Sequence, residues 1–292
     1  MNFNEISPSR LRPTHIAALL SVILAILLIL PTEPDEYDVP PPTALSTSRE
    51  MILISHAGAG LPEGAYSNSL EALTRGYDHG LSMFEVDVHL TSDGSPVLLH
   101  DWGPGLRKWY RLSPIAWINS YRNDGEPFLT KKDFNALTMR HGLTALDLDG
   151  LAAWMKTHPN TLVNLNVKKE TQRILTDFAA SYPNLKYRVI VEVYDLETFS
   201  EIKAIGYDKL LWVADHYDDA SVLAALKSLD FYAITFAANS QTLDRAELLE
   251  NIDIPLWIYT INSASIAVKL ADAGVDGIYT DSLIYMQSSD VN

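Results

Sequence analysis

Within "FEVDVHLTSDGSPVLLHDW" (residues 84–102), Glu85 and Asp87 stand two apart, and His100–Asp101 ends the returning stretch. In an extended segment Glu85, Asp87 and His89 share one face, and Phe84, Val86 and Val88 share the other. Carboxylates and imidazoles gathered on one face are the residue types that acid–base or cation chemistry uses. The "SDGS" stretch signals a tight two-residue hairpin at Asp93–Gly94, a register that sets Asp87 opposite His100.

Such residues need a scaffold to hold them. From Met51 onward, short apolar runs alternate with amphipathic stretches. Strands are expected at 51–56, 83–88, 161–168, 187–194, 209–215, 231–236, 255–262 and 276–281. Helical patterns between them include 67–80, 147–158, 195–208 and 263–276. Asn68 is the expected cap of the first helix, with Glu71 three residues on and Gly80 past its end. Alternating strands and helices imply parallel βα units. Eight of them imply an α/β fold, a (β/α)8 TIM barrel with a β-hairpin (return strand 96–100) after the second strand. In that barrel Phe84, Val86 and Val88 pack outward and Glu85 and Asp87 point inward. The same alternation turns Asn164, Asn166, Lys168 and Glu192 inward. Buried charges cost several kcal/mol unless paired or bound to a metal, so this interior is expected to be more than packing.

The chain has 292 residues and is 47% hydrophobic, enough for one large domain or two small ones. It has no cysteine, which excludes disulfides, thiolate metal sites and a cysteine nucleophile. A net charge of -15 argues against a nucleic-acid partner. "IAALLSVILAILLIL" (16–30) is an apolar run broken only by Ser21, short of the ~20 residues of a typical span. Residues 15–31 therefore read as a transmembrane anchor or a signal segment, with an uncleaved anchor preferred. Arg10 and Arg12 before it, and the acidic residues after it, leave 1–14 cytoplasmic and export the remainder. Residues 32–49 read as a proline-rich linker and 50–292 as the barrel. The expected location is a membrane-anchored, periplasmic domain of a bacterial inner membrane.

Taken in order, "HAG" (56–58), "YSNSLEAL" (66–73), "EVD" (85–87), "SDG" (92–94), "HD" (100–101), "NVK" (166–168) and "GVDGIYTD" (274–281) form a pattern. It resembles the glycerophosphodiester phosphodiesterase family, barrels related to phosphatidylinositol-type phospholipases C. The resemblance implies metal-assisted cleavage of a small phosphodiester or phospholipid headgroup. His56 and His100 match the family's catalytic histidines, acting as general acid and base on opposite sides of phosphorus. Glu85 and Asp87 match metal ligands for Ca²⁺ or Mg²⁺. Lys168 matches a phosphate-facing lysine, and Asn68 the asparagine of the family's P-E-N-T motif. "YTIN" (259–262) matches a substrate-facing strand, which implies Trp257 and Tyr259 as pocket residues. Three family positions differ: Ala57 stands for an arginine, Ser67 for a glutamate, and Asn166 for the third carboxylate ligand. Inward Glu192 could restore that last charge from one strand over. These departures suggest a divergent subgroup with "HAG" in place of "HRG".

Residues 102–146 carry no motif of that family. They hold seven cations (Arg107, Lys108, Arg111, Arg122, Lys131, Lys132, Arg140) against three carboxylates, with aromatic residues interleaved. The segment reads either as a lid that touches an anionic substrate or phospholipid headgroups, or as a structured cover over the barrel mouth. The activity expected of the chain is that of a phosphodiester hydrolase. The alternatives are a phospholipase-D-like lyase forming a cyclic phosphate, and a non-catalytic barrel binding phosphorylated lipid or cell-wall polymer.

Overall fold

Alternate apolar residues write the barrel wall, and the computed structural model, which describes residues 42–285 apart from Ser48, Ala59 and Asp124, shows how they are used. Eight parallel strands close on themselves. They are β1 (Ile52–Ser55), β2 (Met83–Leu90), β3 (Leu162–Val167), β4 (Val189–Val193), β5 (Lys209–Val213), β6 (Ala233–Ala237), β7 (Leu256–Tyr259) and β8 (Gly277–Thr280). Closure comes from β8 beside β1 (Ile278 with Leu53) and β1 beside β2 (Ile54 with Met83). Seven helices cover the outside: α1 (Leu70–Asp78), α2 (Leu148–Thr157), α3 (Thr171–Ser181), α4 (Leu196–Ile205), α5 (Asp219–Ser228), α6 (Thr242–Leu249) and α7 (Ala264–Asp272). This is a TIM barrel. Val86, Val88, Val163, Leu165, Val189 and Val191 face outward into the helix layer and are fully buried there. Each such side chain contributes about 1.5–3 kcal/mol through burial. Inside the barrel, Ile54, Met83, Ile190, Leu211, Ala233 and Trp257 form a smaller apolar plug. Among the described residues, every strand and core residue of the barrel lies between Thr43 and Tyr285, so this part carries its own closed sheet and core, which is what a unit that folds by itself requires.

Two local expectations are corrected. Ser69, not Asn68, caps α1, its hydroxyl accepting from Ala72 N at 3.2 Å. The cap shift releases Asn68 for the site described below. The hairpin strand Pro96–Leu98 pairs Val88 with Leu98 and His89 with Val97, which sets Asp87 opposite Leu99 rather than His100. The reason is a longer loop: Thr91 N donates to Ser95 O, and Gly94 adopts φ +77°, closing a three-residue turn.

Residues 102–146 build a satellite around Trp102, Leu106, Trp109, Tyr110 and Phe134. Its helices are Pro104–Trp109, Pro114–Arg122 and Lys131–Asn135. Trp109 Nε1 donates to Ala65 O at 3.2 Å, tying the satellite to the loop after β1. Arg107 is buried, donating to Ser120 O and lying 3.7 Å over the Tyr121 ring. The segments expected at 1–14 and 15–31, and the linker up to residue 41, lie outside the described residues. Among the described residues, no helix is long and apolar enough to cross a membrane.

Candidate active site

A cavity of about 270 Å³ opens at the C-terminal ends of the strands, where barrel enzymes place their chemistry. A second cavity of about 270 Å³ lies at the N-terminal ends of β7 and β8, around Arg49 and Asp276, and no histidine lines it. The first is lined by His56, Glu85, Asp87, His100, Asn166, Lys168, Glu192 and Tyr259, among others. Eight of the ten residues singled out in the sequence therefore meet in one space. Asn68 lies just behind it. Trp257 lies beneath it, 1% exposed, within the apolar plug.

His56 follows β1 on a tight turn, in which Ala57 takes a left-handed conformation (φ 47°). That turn aims Ala57 N at Glu85 Oε2, 2.8 Å away. Gly58 continues the turn at φ +88°, and a Cβ there would stand 3.2 Å from Ala72 Cβ, so the turn needs glycine to sit on α1. The His56 Nδ1 lies 3.0 Å from Asp281 Oδ1, just past β8. Asp281 is itself held by Asn262, which donates from Nδ2 to Oδ2 at 2.7 Å and accepts from Asp281 N at 2.8 Å. Burial alone would lower the His56 pKa. The hydrogen bond and charge of Asp281, with Glu85 and Asp87 nearby, outweigh it and raise the pKa to about 9.

His100 has a parallel arrangement. Its Nδ1 lies 2.8 Å from Asp101 Oδ2, and Asp101 accepts from Gly103 N at 2.7 Å and Gly105 N at 3.0 Å. Burial would raise the Asp101 pKa, but His100 and these backbone donors hold it below the usual range. Each imidazole thus has its Nδ1 fixed by a carboxylate, a pattern that sets ring orientation and turns Nε2 to the reacting groups. Between them stands Tyr66, edge-on to both, with ring centroids 4.6 Å from His56 and 4.5 Å from His100. Tyr66 and Asn68 are both left-handed (φ 65° and 50°), so the whole loop is bent to bring them inward.

The carboxylates are strongly differentiated. Asp87 pairs with Lys168 Nζ at 2.9 Å, and Asn68 brackets it by donating to Oδ2 at 3.0 Å and accepting from Asp87 N at 2.9 Å. Burial disfavours its charge, yet the Lys168 cation wins and keeps its pKa low. Burial likewise opposes the Lys168 charge, and Asp87 overrides it to raise the lysine. Glu85 has no such partner: burial, then the Asp87 charge, push its pKa well up. Glu192 is also raised, mainly by burial, while accepting from Asn164 Nδ2 and Tyr194 OH at 2.7 Å each. Asn166 donates weakly to Asp87 Oδ1 at 3.4 Å and accepts from Tyr194 OH at 3.1 Å. His89 lies outside the cavity lining, and burial followed by the Lys168 charge lowers its pKa to about 4.

Lys168 matches Asp87, whereas Glu85 and Glu192 face no such cation and are held above the usual carboxylate range, and the carboxylate and amide oxygens here are hard donors. That chemistry fits a Ca²⁺- or Mg²⁺-type ion, with Glu85 as the carboxylate whose raised pKa a cation would relieve. Among the described residues, no three histidine or acidic side chains are already gathered at ligand spacing.

Several cavity residues are not among those singled out in the sequence: Tyr66 and Tyr279, which lie within quoted motifs, and Tyr194 and Thr235. Asp101 and Asp281 lie within the quoted motifs, but their pairing with the histidines needs the closed barrel to be seen. Among the described residues, none of the basic residues of 102–146 lines the cavity.

Comparison with known proteins agrees with this fold. The glycerophosphoryl diester phosphodiesterase family matches residues 56–284. The Bacillus subtilis (strain 168) protein named "Putative glycerophosphodiester phosphodiesterase YhdW" is 23% identical over 246 residues, covering 79% of this chain and 94% of that protein. A glycerophosphodiester phosphodiesterase from Parabacteroides distasonis superposes with a TM-score of 0.61 at 18% identity, over 80% of this chain and 93% of that one. An Oleispira antarctica phosphodiesterase, solved with the product sn-glycerol-3-phosphate, gives 0.59 at 17% identity, over 81% and 93%.

Proposed function

The chain belongs to the glycerophosphoryl diester phosphodiesterase family, as a phosphoric diester hydrolase, and from that premise we propose cation-assisted cleavage of glycerophosphodiesters by two histidines. The observation that carries the reading is the matched pair of carboxylate-held imidazoles, His56–Asp281 and His100–Asp101, on one acidic cavity. His56, with a pKa near 9, is protonated at neutral pH and serves as the acid that gives its Nε2 proton to the leaving alkoxide. His100 serves as the base that takes the proton of the attacking hydroxyl, from water or from the substrate's own glycerol. Lys168 supplies a fixed positive charge toward the phosphoryl oxygens while restrained by Asp87. Glu85, Asp87 and Glu192, with the amide oxygen of Asn166, would hold the cation. When bound, that ion neutralises charge on the phosphoryl group. Asn68 fixes Asp87, and Tyr259 contributes to the wall on the far side of the cavity.

The same proposal extends to location. The apolar run 16–30, flanked by Arg10 and Arg12 on one side and acidic residues on the other, supports a membrane tether with the barrel on the exported side. A phospholipid headgroup is then within reach as substrate.

The test is product analysis. A panel of glycerophosphodiesters, lysophospholipids and phosphatidylinositol is incubated with the protein and Ca²⁺ or Mg²⁺, and products are followed by phosphorus NMR. The reading predicts a linear phosphomonoester from at least one glycerophosphodiester. A cyclic phosphate as the final product would point to the lyase instead, and no turnover on the whole panel would overturn the reading.

A further inference from the structure

The satellite's helix Pro114–Arg122 is packed inside out. A surface helix ordinarily buries its large apolar residues and shows its small or polar ones. Here the buried positions are Ala116 and Ser120, whereas Ile115 is 74% exposed, Ile118 45% and Tyr121 40%. At helical spacing Ile115, Ile118 and Arg122 share one face, with Tyr121 and Pro114 at its margin. Arg111 just before the helix and Arg122 at its end are both exposed, framing the apolar residues with cations. This sits in a segment with seven cations and three carboxylates, within a chain of net charge -15. Large apolar side chains ringed by guanidinium groups are the composition of a surface that dips into a bilayer interface and attracts anionic headgroups.

We propose that this face is a docking surface for an anionic phospholipid bilayer. The inference builds on the tethered reading above, because the apolar run 16–30 supplies a reason for the barrel to work beside a membrane. The face is also joined to the active site. Arg107 Nη1 donates to Ser120 O at 3.2 Å, linking this helix to Pro104–Trp109, whose first turn holds Asp101, the partner of His100. Trp109 in turn bonds Ala65, next to Tyr66. Docking through Ile115 and Ile118 therefore sets the attitude of the cavity mouth toward the lipid surface.

The test uses the chain beginning at Pro42, which keeps the whole barrel and lacks the apolar run, so that vesicle binding reads the satellite alone. Co-sedimentation is measured with phosphatidylcholine vesicles with and without phosphatidylglycerol. The proposal predicts binding that needs phosphatidylglycerol and weakens with salt. Ile115→Glu/Ile118→Glu should weaken it about tenfold or more, with melting temperature and turnover of a water-soluble diester unchanged. If that variant is misfolded, Arg111→Glu/Arg122→Glu, on exposed residues, should give the same loss. Wild-type protein that ignores anionic vesicles, or variants that bind as wild type does, would overturn the proposal. So would self-association that the isoleucine variant abolishes without any vesicle binding, which would make the face an interface between copies of this chain. None of these outcomes bears on the phosphodiesterase reading, which the phosphorus NMR assay decides separately.

Discussion

His56 and Asp281 stand 225 positions apart in the chain, yet Nδ1 and Oδ1 lie 3.0 Å apart. The contact exists because β8 pairs with β1, so closing the barrel also assembles the acid. Asp281→Asn keeps a hydrogen-bonding group but removes the charge that outweighs burial. The His56 pKa is then expected to fall well below about 9, as burial meets only the weaker pull of Glu85 and Asp87. NMR titration of the imidazole checks the shift. The rate should fall by roughly tenfold or more at neutral pH, with a smaller loss under acidic conditions where His56 regains its proton.

The same group sets a pH dependence of stability. Its folded pKa of about 9 lies above the unfolded value of 6.5, so its contribution, about 3 kcal/mol, is fully present below pH 6.5. It is lost as pH rises through 9. Denaturant melts of the cation-free protein should show stability declining across that window, and Asp281→Asn should flatten the decline.

Glu85 predicts the effect of a cation. Its carboxyl is held above its usual range by burial and by Asp87, so protons compete with any ion bound there. Ca²⁺ or Mg²⁺ should raise the melting temperature, and by more as pH rises toward and through about 8, where Glu85 gives up its proton. At a hundredfold excess over Kd the gain is about 2.7 kcal/mol. Glu85→Gln should remove most of this response in scanning calorimetry while leaving the apo protein about as stable as wild type near neutral pH, where the buried carboxyl already keeps its proton, and more stable above about pH 8.

Tyr66 spaces the two imidazoles. Tyr66→Phe keeps both edge contacts and should leave kcat within about threefold. Tyr66→Ala removes the edge contact from both rings and leaves their tilt to the carboxylate bonds alone, which should lower kcat by about 10–100-fold, since small misplacements of catalytic groups are costly. Steady-state kinetics on the two variants checks this. A uniform loss in both would assign the role to the hydroxyl instead.

Much of this was legible in the sequence because inward and outward residues alternate with a period that a barrel cannot hide. Glu85, Asp87, Asn166, Lys168 and Glu192 all follow from that alternation, with valines and leucines marking the outer face. The hairpin register was misread because Asp93–Gly94 suits a two-residue turn, while Thr91 and Ser95 close a longer one. The cap of α1 slipped by one because Asn68 and Ser69 are both good capping residues, and only the cavity shows which is needed elsewhere. Tyr66 and Tyr279 sit inside quoted motifs without being assigned a role, and Tyr194 is not singled out. Their positions depend on backbone bends and cross-barrel contacts, such as Asn164 Nδ2 to Tyr279 OH at 2.8 Å, that no local pattern encodes. Arg107 looked like a ligand-binding cation and proves to be an internal strut, because its guanidinium stacks on Tyr121.

The most direct measurement is the initial rate of glycerophosphodiester cleavage by the chain beginning at Pro42. It is taken with saturating Ca²⁺ or Mg²⁺, with EDTA, and with the variants His56→Ala, His100→Ala and the double. The account predicts cation-dependent cleavage that each single variant lowers by about 10²–10⁴-fold. The double should be little worse than the poorer single, because the two act as a unit. Cleavage that survives both EDTA and loss of the two histidines would contradict it.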